Sequence, residues 1–321
     1  MGKINWTVSS PALNSVIICP SMTDSADYFD AYNLYLLGSF KQALKTIQKI
    51  KSPDSALKLK VDILTYRIYI AQKKFGVVLD EIPEDNEITE LKLVRLLALY
   101  FSRPSERPSI LTTADSLSSS LSVEHDEVSL ILLATIYLNA GLIEAALRVL
   151  HPGNDVYCNA LRVQCYMAMN RYDLAGKAVR RMQAADDDAL ACQLSVALYN
   201  LSQCGDQLQE AVNIYEELKE RYGPTPVILN GQAAALIGMN QWEQAETVLQ
   251  EALDLDSDNP EILINLIMVS EHLGKPADVI NRLMSQVKSI DSDHPFLLDL
   301  AAKDSEFSQC SQHYQLSSVS E

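Results

Sequence analysis

From Met22 onward the apolar residues recur at the three-to-four-residue spacing of a single helix face, and the alternation that marks a half-buried strand is scarcely found. The pattern predicts an all-α protein. The helices fall into pairs. In each pair a first run is followed by a polar break, and a second run then opens on an aromatic or aliphatic residue with a small residue three places later. The opening residues of the second runs are Phe40, Phe75, Ser109, Ile143, Tyr172, Leu208, Trp242 and Pro276, separated by 35, 34, 34, 29, 36, 34 and 34 residues.

A period near 34 residues is that of the tetratricopeptide repeat, a helix hairpin that cannot bury its own apolar face and does so by stacking on its neighbours. The spacing therefore predicts a tetratricopeptide-like α-solenoid of about eight hairpins, coiled into a right-handed superhelix over residues 24–304. Residues 1–23, with two prolines and many serines, read as a flexible leader, and Met22 is a candidate start. The stretch 305–321 reads as a polar tail that frays.

The seventh repeat is the most regular. Thr225 and Pro226 predict an N-cap and a first-turn proline, because a hydroxyl can accept from an orphan amide and proline has no amide to leave orphaned. Ala233 and Ala245 stand where the two helices of one hairpin touch, a crossing that admits only small side chains. In the eighth repeat, Asn259 and Pro260 predict a helix start, and Gly274, Lys275 and Pro276 predict a stop followed by a new start. Other copies are degraded. Tyr66 and Val78 occupy the small positions of the second, Ser109 replaces an aromatic in the third, and the sixth carries extra residues around Ser202 to Gly205. The Ser, Thr and Pro-rich segment 102–122 reads as a short loop and a polar helix.

Charge narrows the partners. With 42 acidic and 26 basic side chains the formal net charge is −16, which argues against binding a phosphate backbone through displaced counterions. The six cysteines form no C-x-x-C pair in a chain too large to need a disulfide framework, and they are expected to be reduced. No apolar run approaches the roughly 18 to 20 residues of a membrane span, and no signal peptide is evident, so a cytosolic protein without direct membrane insertion is expected.

Chemistry is not written in the motifs. The glycines form no dinucleotide fingerprint, Walker loop or nucleophile elbow, and the histidines (His125, His151, His272, His294, His313) are isolated. Asp186, Asp187 and Asp188 read as a solvated cap at a helix N-terminus, not as a metal cluster. A non-enzymatic protein with no cofactor, no metal and no small-molecule substrate is expected.

A binding surface is what the repeats offer. The first helices of stacked hairpins line a concave groove through the second, fifth, ninth, twelfth and thirteenth positions of each repeat. Ile63, Ile70, Ile131, Leu138, Met167, Ile237, Ile264 and Met268 stand at these positions, with Asn230 among them. An open patch of this kind exceeds what soluble monomers leave uncovered, so an apolar polypeptide segment of a permanent partner is expected in the groove. A groove that clamps a terminal carboxylate instead needs basic residues on adjacent repeats. Only Lys60 and Arg67 fit that plan, which leaves a chaperone-adaptor role as a distant alternative.

The segment WEQAETVLQEALDLDSDNPEILINLIMVSEHLGKPADVINRLMSQVKSIDSDHPF, from Trp242 to Phe296, resembles the C-terminal repeats of the epsilon subunits of coatomer. So do KFGVVLDEI (Lys74 to Ile82) and LNGQAAA (Leu229 to Ala235), and the likeness runs from about Asp24 to the tail. The resemblance implies a structural subunit of the COPI vesicle coat that wraps the C-terminal region of the coatomer alpha subunit. It further implies a cytoplasmic protein, peripheral on Golgi membrane and COPI vesicles, acting in Golgi-to-ER and intra-Golgi transport. The leader 1–21 departs from the family, whose members begin close to the first repeat.

Overall fold

The computed structural model describes residues 26–50, 55–120 and 127–313, and these contain helices and no strand. Eight hairpins follow one another. They are α1 (Ala26–Leu36) with α2 (Phe40–Ile47), α3 (Ser55–Ala71) with α4 (Phe75–Glu81), and α5 (Thr89–Ser102) with α6 (Arg107–Ser120). Next come α7 (Glu127–Asn139) with α8 (Ile143–Leu150), α9 (Val156–Ala168) with α10 (Tyr172–Ala185), and α11 (Leu190–Gln203) with α12 (Asp206–Tyr222). The last pairs are α13 (Pro226–Gly238) with α14 (Trp242–Leu255) and α15 (Pro260–His272) with α16 (Ala277–Ile290), followed by a single helix, α17 (Pro295–His313).

Phe40, Phe75, Ile143, Tyr172 and Trp242 are each the first residue of the second helix in their hairpin, as the spacing predicts. In the degraded third and sixth repeats the helix opens two residues earlier, at Arg107 and Asp206, and Pro276 caps α16 from one residue outside.

The recurring break has one backbone cause. Gly38, Lys73, Gly141, Asn170, Asn240 and Gly274 all have positive φ at the turn between the two helices. After each, the next amide reaches five residues back: Ser39 N–H to Leu34 O, Lys74 to Tyr69, Leu142 to Tyr137, Arg171 to Tyr166, Gln241 to Leu236 and Lys275 to Ser270, at 2.8 to 3.0 Å. This left-handed closure satisfies the last carbonyls of the first helix and reverses the chain. The extra residues of the sixth repeat give two consecutive positive-φ positions, Cys204 and Gly205.

Starts are capped as expected. Thr225 Oγ1 accepts from Ile228 N–H at 3.3 Å and Asn259 Oδ1 from Glu261 N–H at 3.1 Å. Asp186 Oδ1 accepts from Ala189 N–H at 3.1 Å, at the entry to α11. Segment 102–122 contains a 3₁₀ turn, Pro104–Glu106, and the polar helix α6. The predicted tail is different. Residues 305–313 continue α17, whose exposed face carries an Asp299–Lys303 pair one turn apart. The leader 1–23 lies outside the described residues.

Arginines tie repeats together. Arg95 of α5 donates to Leu79 O and Ile82 O at the end of α4, at 2.7 and 2.5 Å. Arg162 of α9 donates to Leu150 O, His151 O and Gly153 O beyond α8, at 2.5, 3.1 and 2.6 Å. Each guanidinium gathers carbonyls at a helix C-terminus, where intrahelical amide partners run out, and Leu150 O also accepts from Gly153 N–H at 3.0 Å. Lys219–Glu251 at 2.8 Å and Lys275–Glu246 bridge later repeats. His294 Nδ1 accepts from Phe296 N–H at 3.3 Å while its other ring nitrogen lies 3.3 Å from Glu261 Oε1, which seats the start of α17 on that of α15.

Cys158, Cys165 and Cys192 are buried, and burial pushes their thiols up to about 12 from an ordinary 9.0. The unfolded chain ionises them near 9.0 and the folded chain only near 12, so their contribution to stability is full below pH 9.0 and is lost as pH rises through that window. Among the described cysteines, an aromatic disulfide reagent at pH about 8 is expected to label exposed Cys204 and Cys310 in the folded protein and the other three only after denaturant is added. Rapid labelling of all five without denaturant would contradict the packing of α9 and α11.

Candidate partner-binding channel

The first helices of successive hairpins pack on one another, α5 on α7, α7 on α9, α9 on α11 and α13 on α15, whereas among the described residues successive second helices meet far more sparsely, as in the Lys219–Glu251 pair of α12 and α14. The first helices therefore form the inner wall of the coil and the second helices its outside. All candidate groove residues are on first helices, as the repeat register predicts.

Exposure divides them. Ile63, Ile131 and Ile237 are 1%, 0% and 3% exposed, and Ile70 and Ile264 are 7% and 9%. The chain itself covers these five. Leu138, Met167, Asn230 and Met268, on the same set of helices, are half-buried and keep exposed surface. Asn230 Oδ1 accepts from Asn265 Nδ2 at 2.8 Å, which joins the seventh and eighth repeats across that wall.

The cover comes from close stacking and from the tightness of the coil. α7 is apolar all round and buried from Val128 to Tyr137, as a helix enclosed on every side must be. The first hairpin reaches repeats far along the chain. The Tyr32 ring of α1 meets Tyr157 of α9 edge-on, with centroids 5.3 Å apart, and a Cβ added to Gly38 would lie 3.4 Å from Val227 Cγ2 in α13. The first repeat thus touches the fifth and the seventh.

Sequence reasoning missed this contact. The signal was the tyrosine row Tyr28, Tyr32 and Tyr35, one face of α1, all now buried. Burial raises the Tyr32 hydroxyl pKa well above its ordinary value, and the nearby Arg67 charge pulls the other way. Arg67, at the ninth position of its repeat, is 2% exposed, with its guanidinium carbon 4.9 Å from the Tyr35 ring centroid and 6.0 Å from that of Tyr32. Lys60, its partner in the clamp plan, stands two turns earlier on the same helix, and no adjacent repeat supplies the remaining donors of a clamp.

Elsewhere His272 stacks on Trp242, with centroids 3.9 Å apart and planes 9° apart, a contact between repeats. Among the described residues no group of three His, Cys, Asp or Glu side chains is arranged to hold a metal ion, and no helix is long and apolar enough to cross a membrane.

The architecture has relatives among solved structures. A tetratricopeptide repeat protein from Parabacteroides merdae superposes with a TM-score of 0.56 at 12% identity, covering 82% of this chain and 97% of that one, a likeness of fold alone. Sequence comparison goes further. The chain is 33% identical over 273 residues to coatomer subunit epsilon of Dictyostelium discoideum, covering 83% of this chain and 91% of that protein. It is 32% identical over 296 residues to coatomer subunit epsilon-1 of Arabidopsis thaliana, covering 92% and 99%. The family model described as coatomer epsilon subunit matches residues 24–315. A helical solenoid with this inner wall and matched along nearly all its length belongs to the coatomer epsilon subunit family.

Proposed function

We propose that the protein is a non-enzymatic structural subunit that holds the C-terminal region of the coatomer alpha subunit in its channel and stabilises that arm of the coat. It acts in Golgi-to-ER and intra-Golgi vesicle transport. It is cytoplasmic and reaches Golgi membrane and COPI vesicles as part of the complex, without lipid contact of its own. Coatomer membership supports this reading, and the observation that carries it is the inner wall. Leu138, Met167 and Met268 keep apolar surface there, on three different repeats, although most neighbouring aliphatics are covered. Thioethers suit such a seat, since an unbranched, polarisable side chain adapts to a partner's shape. Asn230 and Asn265 add polar groups for the partner's backbone.

The five covered isoleucines support the wall from behind, and the half-buried four make the contact. The experiment is recovery of tagged protein from cytosol. Stoichiometric alpha subunit is expected in the eluate, at salt that strips surface ion pairs, because apolar burial is insensitive to screening. Recovery of other coat subunits without alpha would contradict the proposal. So would recovery of none.

A further inference from the structure

Arg67 is the one guanidinium in the inner wall of the second repeat, and its burial is unexplained by its surroundings. At 2% exposure it has lost its water, yet Nε and both terminal nitrogens have no hydrogen-bond partner. Arg95 and Arg162 show what this fold does with an arginine between repeats, giving each at least two carbonyls within 2.7 Å. Among the described residues Arg67 has only the faces of Tyr32 and Tyr35. Ring faces attract a cation but accept few of five N–H donors, and a buried charge without an anion is strongly disfavoured. Sequence neighbours do not help, because Ile63 and Ile70 stand one turn to either side on the same face.

We propose that Arg67 is the anchor for an Asp or Glu side chain, flanked by apolar residues, of the polypeptide that occupies the channel. This rests on the reading of the channel given above and adds the chemistry of the occupant. A two-pronged carboxylate matches the guanidinium fork, and Ile63 and Ile70, covered in the free chain, match apolar flanks once they are uncovered together with Arg67. A chain terminus is the poorer fit, since terminal clamps draw donors from adjacent repeats. The tyrosines of α1 close over Arg67, so the carboxylate enters as the first hairpin shifts. That hairpin packs more sparingly on α3 than most successive hairpins pack on each other. In the free protein the tyrosine faces hold the charge; in the complex the carboxylate does.

The test uses the full chain and the full-length alpha subunit, with Arg67→Met and Arg67→Lys. Losing one partner of a buried pair is expected to weaken binding by Arg67→Met about 30-fold or more. Arg67→Lys should recover part of that loss. The free Arg67→Met chain should melt at the same or a higher temperature, because an apolar side chain replaces an unpaired buried charge. Stability and affinity thus move in opposite directions. A free Arg67→Met chain that melts cooperatively but earlier would make Arg67 a packing residue and overturn the proposal, as would unchanged affinity. Residues added past the alpha C-terminus should leave affinity unchanged, and loss of binding on that extension would overturn the side-chain assignment. Wild-type chain that fails to bind alpha would overturn the channel reading itself.

Discussion

Ala245→Arg is expected to abolish the single cooperative melt of the protein. Ala245 and Ala233 are both 0% exposed where α14 crosses α13, the crossing that sets the geometry of the seventh hairpin. A long charged side chain there overfills a close contact and carries a cation into an apolar crossing. The combined cost is about 4 kcal/mol or more, a large share of the 5 to 15 kcal/mol that holds a typical protein together. In a solenoid each repeat is stabilised by its neighbours, so damage at the seventh also removes the support of the eighth. Separate transitions by helical circular dichroism and by Trp242 fluorescence are the expected signature. Gln244→Arg, exposed and adjacent, should shift stability by no more than about 0.5 kcal/mol. Equal melting of the two variants would mean that the α13–α14 crossing is not where it is described.

Met167→Asp combined with Met268→Asp is expected to eliminate binding of the alpha subunit while the free protein keeps its helical content. Both side chains are half-buried on the inner wall of the free chain, so a carboxylate at either position still finds water there. In the complex it would not. Desolvating two charges against an apolar partner costs about 3 to 5 kcal/mol, or two to four orders of magnitude in Kd. Ile264 makes the contrast. At 9% exposure it is already covered by the chain, and a charge there would damage the fold as well as the wall. Retention of binding by the double variant would remove Met167 and Met268 from the interface.

The hairpins were legible because their determinants are local. Phe40, Phe75, Ile143, Tyr172 and Trp242 open a second helix just after a left-handed turn, and both the turn and the bulky apolar opening recur about once per repeat. Thr225 and Asn259 announce their caps within three residues. The register drifted by two residues at Ser109 and Leu208, where the aromatic opening or the turn length is lost. The inner wall was legible as a set of positions but not as a surface. Which of Ile63, Ile131, Met167 and Met268 remain accessible depends on the pitch of the coil, a sum of small rotations that no single repeat encodes. The contact of Tyr32 with Tyr157 joins residues 125 apart, and no period links them. Residues 305–313 read as a tail because they are polar, yet they extend a helix already nucleated where Leu297 packs on the core, and propagation costs far less than nucleation. Arg67 was visible only as half of an incomplete clamp; its missing hydrogen bonds appear once α1 is laid over it.

The inner wall is most directly tested by a photo-activated cross-linker placed in turn at Met268, half-buried on first helix α15, and at Leu255, 50% exposed at the end of second helix α14. After assembly with the alpha subunit and irradiation, a cross-link to alpha is expected from position 268 and none from position 255. A cross-link from position 255 with none from position 268 would place the partner on the outside of the coil and contradict the channel.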